Sequence, residues 1–271
     1  MIKKQHSIIT GGSSGIGKAT AKLLASLGNN ITIISRDINK LEAAKQEIKS
    51  VCISPEQKVL ALAADVSDRL SIESAIFTAI EQISPPDILI TSAGIAHPDY
   101  FQNLSIDVFE QTMAVNYFGT LYCIKAVLPV MEKRKKGHIV MLSSGAGLMG
   151  IYGYSAYSSS KFAIRGLAES LRGELKLLGI NLSLVYPPDT DTPQLEQENK
   201  TKPPETKAIT ATAKTWTAEA VGQEIIKGIK RNSFMITPGS EMSILAKIHS
   251  LAFPLINQYF DQTVAKVRKN L

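Results

Sequence analysis

Tyr157 and Lys161 stand four residues apart in a stretch, 155–178, that reads as helix. That spacing sets a phenol and an ammonium side by side on one helix face. A free phenol has a pKa of about 10, too high for ready proton exchange at neutral pH. A lysine cation beside it, together with a positively charged oxidised redox partner, favours the phenolate and lowers that value. The pair could therefore give a proton to a carbonyl oxygen, or take one from an alcohol, if a redox partner moves the electrons. Tyr-x-x-x-Lys is common by chance, so the partner has to be found elsewhere in the chain.

A second group of residues supplies it. After an apolar run at 7–10 comes Thr10-Gly11-Gly12-Ser13-Ser14-Gly15-Ile16-Gly17-Lys18, and a helical pattern follows at once. Gly11 lets the chain turn tightly, while Gly15 and Gly17 let backbone approach a pyrophosphate and let the helix sit close to the sheet. The helix start, with Ser13, Ser14 and Ile16 around it, then faces the phosphates with free N–H groups and a positive dipole end. The next apolar strand, 31–35, ends at Ile34-Ser35-Arg36. An acid there would hold the ribose hydroxyls of NAD. A small Ser35 followed by Arg36, with Lys40 one turn on, suits the extra 2′-phosphate of NADP(H). Asp37 weakens that reading unless it caps the following helix.

The spacing Gly-x-x-x-Gly-x-Gly, together with Tyr157 and Lys161, resembles the short-chain dehydrogenase/reductase family, over nearly all of residues 5–240. The resemblance implies further roles. Ser144, thirteen residues before Tyr157, matches the family's catalytic serine, with Ser143 as second choice. Asn116 matches an asparagine that orders a water near the lysine; a helix-kink residue is the plainer reading, and both can hold. Asp65-Val66 resembles the adenine-contacting pair. Ser92-Ala93-Gly94 stands where Asn-Ala-Gly is usual, and the serine puts a strand-stabilising hydrogen bond in doubt. Pro187-Pro188-Asp189-Thr190-Asp191-Thr192 resembles Pro-Gly-x-x-x-Thr, which makes Thr192 the contact to a carboxamide.

The same run, with Glu198-Asn199-Lys200-Thr201-Lys202-Pro203 and Ala156-Tyr157-Ser158-Ser159-Ser160-Lys161-Phe162, is similar to one branch of the family, the 3-ketodihydrosphingosine reductases. That resemblance implies NADPH-dependent reduction of a long-chain amino ketone. Asp189 and Asp191 are candidates to meet the amine, with loop capping as the alternative. Two other readings stay open: a short-chain reductase of a 3-oxoacyl thioester, steroid or aldehyde, or a dinucleotide-binding scaffold without turnover. Such scaffolds often lose the tyrosine or lysine, and Ser144, Tyr157 and Lys161 are all present.

These residues need a frame that brings 11–17, 36–40, 144 and 157–161 together. Short apolar strands at 7–10, 31–35, 58–62, 87–91, 138–142 and 181–186, and a weaker one at 234–237, alternate with helical patterns. The helices fall at 15–28, 37–50, 68–83, 104–134 with a break, 155–178 and 217–230. Such alternation implies right-handed crossovers and an α/β fold: a Rossmann-type doubly wound parallel sheet covered on both faces. One catalytic domain is expected over 1–240. Residues 187–215, rich in proline, are expected to be a long loop, either lid or disorder. Residues 241–271 form a separate tail whose apolar residues recur at helical spacing around Pro254. It suits either a core or dimer helix or an interfacial membrane helix.

The 271 residues are enough for one large α/β domain. Lysine and arginine outnumber the acids 30 to 24, for a formal charge of +6. That suits an anionic cofactor or an acidic membrane surface, and no nucleic-acid-reading pattern accompanies it. Cys52 and Cys123 sit in apolar segments and read as buried, reduced thiols. His6, His97, His138 and His249 share no metal-ligand spacing, so no metal is expected. The first strand begins too early for a cleaved leader, and no uninterrupted apolar run is long enough to span a bilayer. A cytoplasmic protein, peripheral on the cytoplasmic face of a membrane through its tail, is the expected location. The family resemblance implies a dimer or tetramer built through 104–134 and 155–178.

Overall fold

Runs of isoleucine, valine and threonine form the strands, because branched side chains fit a pleated surface buried on both sides. The computed structural model describes residues 5–211 and 214–269. Within them run β1 (His6–Thr10), β2 (Asn30–Ser35), β3 (Val59–Ala63), β4 (Ile88–Thr91), β5 (Gly137–Leu142) and β6 (Ile180–Val185). Two short strands, β7 (Thr190–Asp191) and β8 (Trp216–Thr217), pair with each other away from the main sheet, and β9 (Met235–Ile236) closes the far edge. The main sheet has the order β3-β2-β1-β4-β5-β6-β9, and all its pairings are parallel.

Helices cover both faces. They are α1 (Gly15–Ser26), α2 (Ile38–Lys49), α3 (Arg69–Gln82), α4 (Ile106–Met113), α5 (Gly119–Arg134), α6 (Ser155–Leu177), α7 (Pro193–Thr201), α8 (Pro204–Thr210), α9 (Ala218–Lys230) and α10 (Ser240–Arg268). Alternate strand residues feed two cores. Ile8, Leu89, Ile139 and Leu184 pack with α3, α5 and α6, while Ile9, Ile33, Ile90 and Val140 pack with α1, α2 and α9. Each such side chain, fully withdrawn from water, contributes about 1.5–3 kcal/mol. Two histidines are built into the sheet. His6 Nε2 bonds Thr32 Oγ1 and His138 Nε2 bonds Ser183 Oγ, and burial takes the His138 imidazole down to about 4.

The break expected within 104–134 is a π-helical turn, Ala114–Phe118, that joins α4 to α5. The whole 29-residue stretch Ile106–Arg134 is long and apolar enough to cross a membrane by length and average composition, although polar residues interrupt its apolar run. Its apolar side is spent on the sheet, with Cys123, Ile124, Val127 and Met131 buried in the core.

Residues 187–215 are not an open loop. They hold β7, α7 and α8, and Glu198, Lys202, Glu205 and Thr206 are buried. The prolines misled because Pro193 and Pro204 occupy the first helical turn, where a missing N–H costs nothing. α10 runs unbroken through Pro254. Met242 and Leu245 rest on the core, while Ile244, Leu251, Phe253 and Leu255 face outward. Its end returns to α8. There Arg268 Nε donates to Oε1 of the fully buried Glu205 at 2.9 Å, Tyr100 donates to Oε2, and Arg268 also reaches the Tyr152 hydroxyl.

Candidate active site

The sheet order reverses between β1 and β4, and the carboxyl ends of these strands diverge there to leave a crevice. A cleft of about 360 Å³ lies at that point. One half is made by backbone. Gly11 holds φ +66°, and a Cβ on it would come within 2.8 Å of the Ala93 nitrogen. Gly15 has φ +51° and faces Thr192, whose Cγ2 would be 3.0 Å from an added Cβ. Ser13, Ser14, Gly15 and Ile16 line the cleft, and Ser14 starts α1 without a side-chain cap, so the first-turn N–H groups stay open to a ligand. Gly17 differs from expectation: it does not line the cleft. A Cβ there would lie 2.4 Å from the Gly11 carbonyl oxygen, so its part is to let α1 press against the turn.

At the end of β2, Ser13 Oγ donates to Ser35 Oγ at 2.9 Å, which ties the turn to the strand. Asp37 Oδ1 accepts from the N–H groups of Asn39 and Lys40 as the cap of α2, and these bonds hold its carboxyl below the usual range. Arg36 and Lys40 border the cleft, and Arg36 Nη1 lies 3.8 Å from Asp65 Oδ2. Asp65, Val66, Ala93 and Gly94 line the neighbouring wall. The strand link that Ser92 put in doubt is made by backbone, Ser92 N–H to the Thr10 carbonyl, and by Ala93 N–H to Thr10 Oγ1. A glycine cradle that side chains would fill and a helix start, with two cations beside them, fit a dinucleotide.

The other half is made by side chains. Ser144 follows β5, and Tyr157 and Lys161 lie on the first turns of α6; all three line the cleft. Ser143 Oγ is occupied, since it donates to the Lys161 carbonyl. Ser144 Oγ accepts from the Ala146 N–H, which leaves its own proton free to be donated into the cleft, and it lowers the Tyr157 value from nearby. Lys161 Nζ donates to the Leu142 carbonyl at 3.0 Å and lies 5.5 Å from the centre of the Tyr157 ring.

The acidified phenol expected from the sequence calls on the positive nicotinamide as well as Lys161; in the protein without its cofactor, burial acts in the other direction. Burial pushes the Tyr157 hydroxyl well up, and the Glu198 carboxylate adds to it, against opposing hydrogen bonds from Ser144 and Gln194. Burial brings the Lys161 ammonium down to about 8, with Glu198 resisting. Without the cofactor, burial therefore favours the protonated phenol.

Asn116 lies on the π-helical turn, fully buried and outside the cleft lining. Its Oδ1 accepts from the Ile95 N–H, and its Nδ2 donates to the Ile95 carbonyl and to Ser160 Oγ. It thus staples the loop after β4 to α6. A Cβ on Gly94 would lie 3.3 Å from Asn116 Oδ1 and 3.6 Å from Lys161 Nζ, so that glycine keeps open the gap between amide and ammonium.

Pro187, Asp189 and Thr192 line the cleft, and Thr192 Oγ1 caps α7. Asp191 does not; it is exposed and pairs with Thr217 in the β7–β8 ribbon. Among the lining residues given no site role from the sequence are the polar Tyr154, Gln194 and Glu198. Glu198 accepts from Tyr154 Oη at 2.5 Å and from Gln194 Nε2 at 2.8 Å. Lys202 lies 3.9 Å from Glu198 and 4.0 Å from Asp189, with its side chain almost wholly buried. The signal was available as Gln194, Glu198 and Lys202 at successive fourth positions, but the surrounding prolines hid a helix.

Comparison with known proteins gives the following. Residues 5–203 match the family described as short chain dehydrogenase. A 3-ketodihydrosphingosine reductase of Bos taurus is 41% identical over 244 residues, which is 90% of this chain and 74% of that protein. One from Dictyostelium discoideum is 39% identical over 280 residues, 98% of this chain and 84% of that protein. Among solved structures, levodione reductase superposes with a TM-score of 0.80 at 24% identity, covering 88% of this chain and 98% of that one. A short chain dehydrogenase/reductase from Burkholderia phymatum, solved with NAD, gives 0.82 at 21% identity over 93% and 95%. These two carry the fold alone.

Proposed function

This chain belongs to the short-chain dehydrogenase family, and on that footing we propose that it is an NADPH-dependent reductase that converts 3-ketodihydrosphingosine to dihydrosphingosine. The observation that carries the chemistry is Ser144, Tyr157 and Lys161 on one wall of a single cleft, with the Lys161 Nζ 5.5 Å from the centre of the Tyr157 ring, opposite a phosphate cradle. The substrate is supported by relatives near 40% identity that carry that activity in their names.

The turn Gly11–Ile16 would hold the pyrophosphate, Arg36 and Lys40 the 2′-phosphate, Asp65, Val66, Ala93 and Gly94 the adenine side, and Pro187 and Thr192 the carboxamide. When bound, the reduced nicotinamide supplies the two electrons that a carbonyl carbon needs to become a carbinol. The chain's own residues do the rest. Ser144 Oγ–H and Tyr157 Oη–H converge on the carbonyl oxygen and polarise it. Tyr157 gives that oxygen its proton, a step for which a phenol kept neutral by burial is already in the right form. Lys161 then stabilises the phenolate left behind, and Asn116 keeps α6 registered against the loop at Ile95.

A long alkyl chain partitions into lipid, so the reaction belongs at a membrane surface on the cytoplasmic side. The outward Ile244, Leu251, Phe253 and Leu255 of α10 support peripheral contact there.

The test is NADPH oxidation by the purified full chain with 3-ketodihydrosphingosine, and NADH in parallel. Turnover with NADPH and weak turnover with NADH is expected. Turnover confined to a 3-oxoacyl thioester or a steroid ketone would overturn the substrate assignment.

A further inference from the structure

The substrate half of the cleft contains a charge arrangement that proton transfer does not require. Glu198, on α7, is only 8% exposed, yet it lines the same cleft as Tyr157. Its carboxylate accepts one hydrogen bond on each oxygen, from Tyr154 and from Gln194. A carboxylate offers about four lone-pair sites, so half its accepting capacity remains. The Tyr154 ring that holds it lies 5.6 Å from the Tyr157 ring, centre to centre. Two carboxylates, Glu198 and Asp189, share the single cation Lys202 at 3.9 and 4.0 Å, beyond hydrogen-bonding range of both. Glu198, Asp189 and Lys202 together carry one negative charge in excess beside the reacting phenol; Lys161, the other cation of the cleft, is turned to the Leu142 carbonyl and, among the described residues, pairs with neither carboxylate. Glu198 is the strongest charge influence on both Tyr157 and Lys161, which shows that its field reaches the reaction centre.

An uncompensated carboxylate in a sheltered cleft is costly unless something cationic completes it. We infer that Glu198, steadied by Tyr154 and Gln194, receives the ammonium group that sits next to the ketone of the substrate, and so selects amino ketones over plain ones. Asp189 contributes field from the far side of Lys202, and Asp191 has no part. The inference rests on the proposed substrate, and its test separates the two.

The test uses 3-ketodihydrosphingosine and the same ketone with hydrogen in place of the amine. The measured quantity is the ratio of kcat/KM for the two. A charge-assisted hydrogen bond contributes about 1.5–3 kcal/mol, or about 10- to 100-fold. Glu198→Gln, which keeps size and one acceptor, should lower the ratio by about that factor, chiefly through KM for the amino ketone. Glu198→Asp should recover part of it. NADPH titration followed by fluorescence reports that each variant is folded, because the dinucleotide half lies on other elements. If wild type favours the amino ketone and Glu198→Gln leaves the ratio unchanged, the assignment of Glu198 falls and the reductase reading stands. If wild type does not turn over the amino ketone, both fall together.

Discussion

The two halves of the cleft are built on different principles. The dinucleotide half is backbone: glycines at 11, 15 and 17, a helix start and strand ends locked in a parallel sheet. The substrate half is side chains, several of them charged and buried, on α6 and the two short helices α7 and α8. Backbone cradles tolerate almost no change of shape at the glycines but are indifferent to the substrate. A side-chain chamber can be re-lined one residue at a time. The contrast shows where this fold carries its common chemistry and where it carries its selectivity.

That contrast can be broken at several points. The largest effect should come from Tyr157→Phe, which deletes the donated proton. Turnover should fall by about 10²- to 10⁴-fold while NADPH affinity by fluorescence titration stays close to wild type; substantial residual turnover would show that another donor acts. Gly17→Ala comes next. Its Cβ would sit 2.4 Å from the Gly11 oxygen, so the turn must shift. Overpacking of that kind costs about 1–3 kcal/mol, and dinucleotide affinity should drop by about tenfold or more for NADPH and NADH alike. Arg36→Ala, by contrast, should weaken NADPH by about tenfold and leave NADH unmoved, since only the 2′-phosphate loses a partner. Equal losses would place the 2′-phosphate elsewhere.

A smaller effect sharpens the comparison from the side-chain half. With a ketone that bears no amine, reductive kcat should decline as pH rises through about 8, as Lys161 loses its proton. Glu198 raises the lysine value, so Glu198→Gln should move that limb to lower pH; a shift upward would contradict the sign. The smallest effect belongs to Asp191→Asn. Exposed and outside the cleft, it should change neither KM nor stability beyond about 0.5 kcal/mol.

How much of this could be read in advance follows the same division. The sheet, its flanking helices and the glycine turn were legible because their periodicity and punctuation are local. So were Ser144, Tyr157 and Lys161, whose spacing survives any detail of packing. Residues 187–215 were not. Their prolines signal a loop unless one knows that Pro193 and Pro204 each begin a helix, and only tertiary contact reveals that Glu198 and Lys202 are inside. The burial of Tyr157 was out of reach for a related reason: a neighbouring lysine is visible in sequence, whereas desolvation depends on what covers the site.

The clasp between Arg268 and Glu205 makes the last turn of α10 a structural part of the wall that α8 builds. Glu205 has no exposure at all, and Arg268 is its cationic partner. Cutting the chain before that arginine would leave the Glu205 carboxylate with Tyr100 but without its cation, and so weaken the wall at α8. A shortened protein that fails in catalysis, or that stops sedimenting with liposomes, would therefore report a collapsed chamber as readily as a lost anchor. Pairing the deletion with Glu205→Gln, which removes the stranded charge, is the control that tells the two apart.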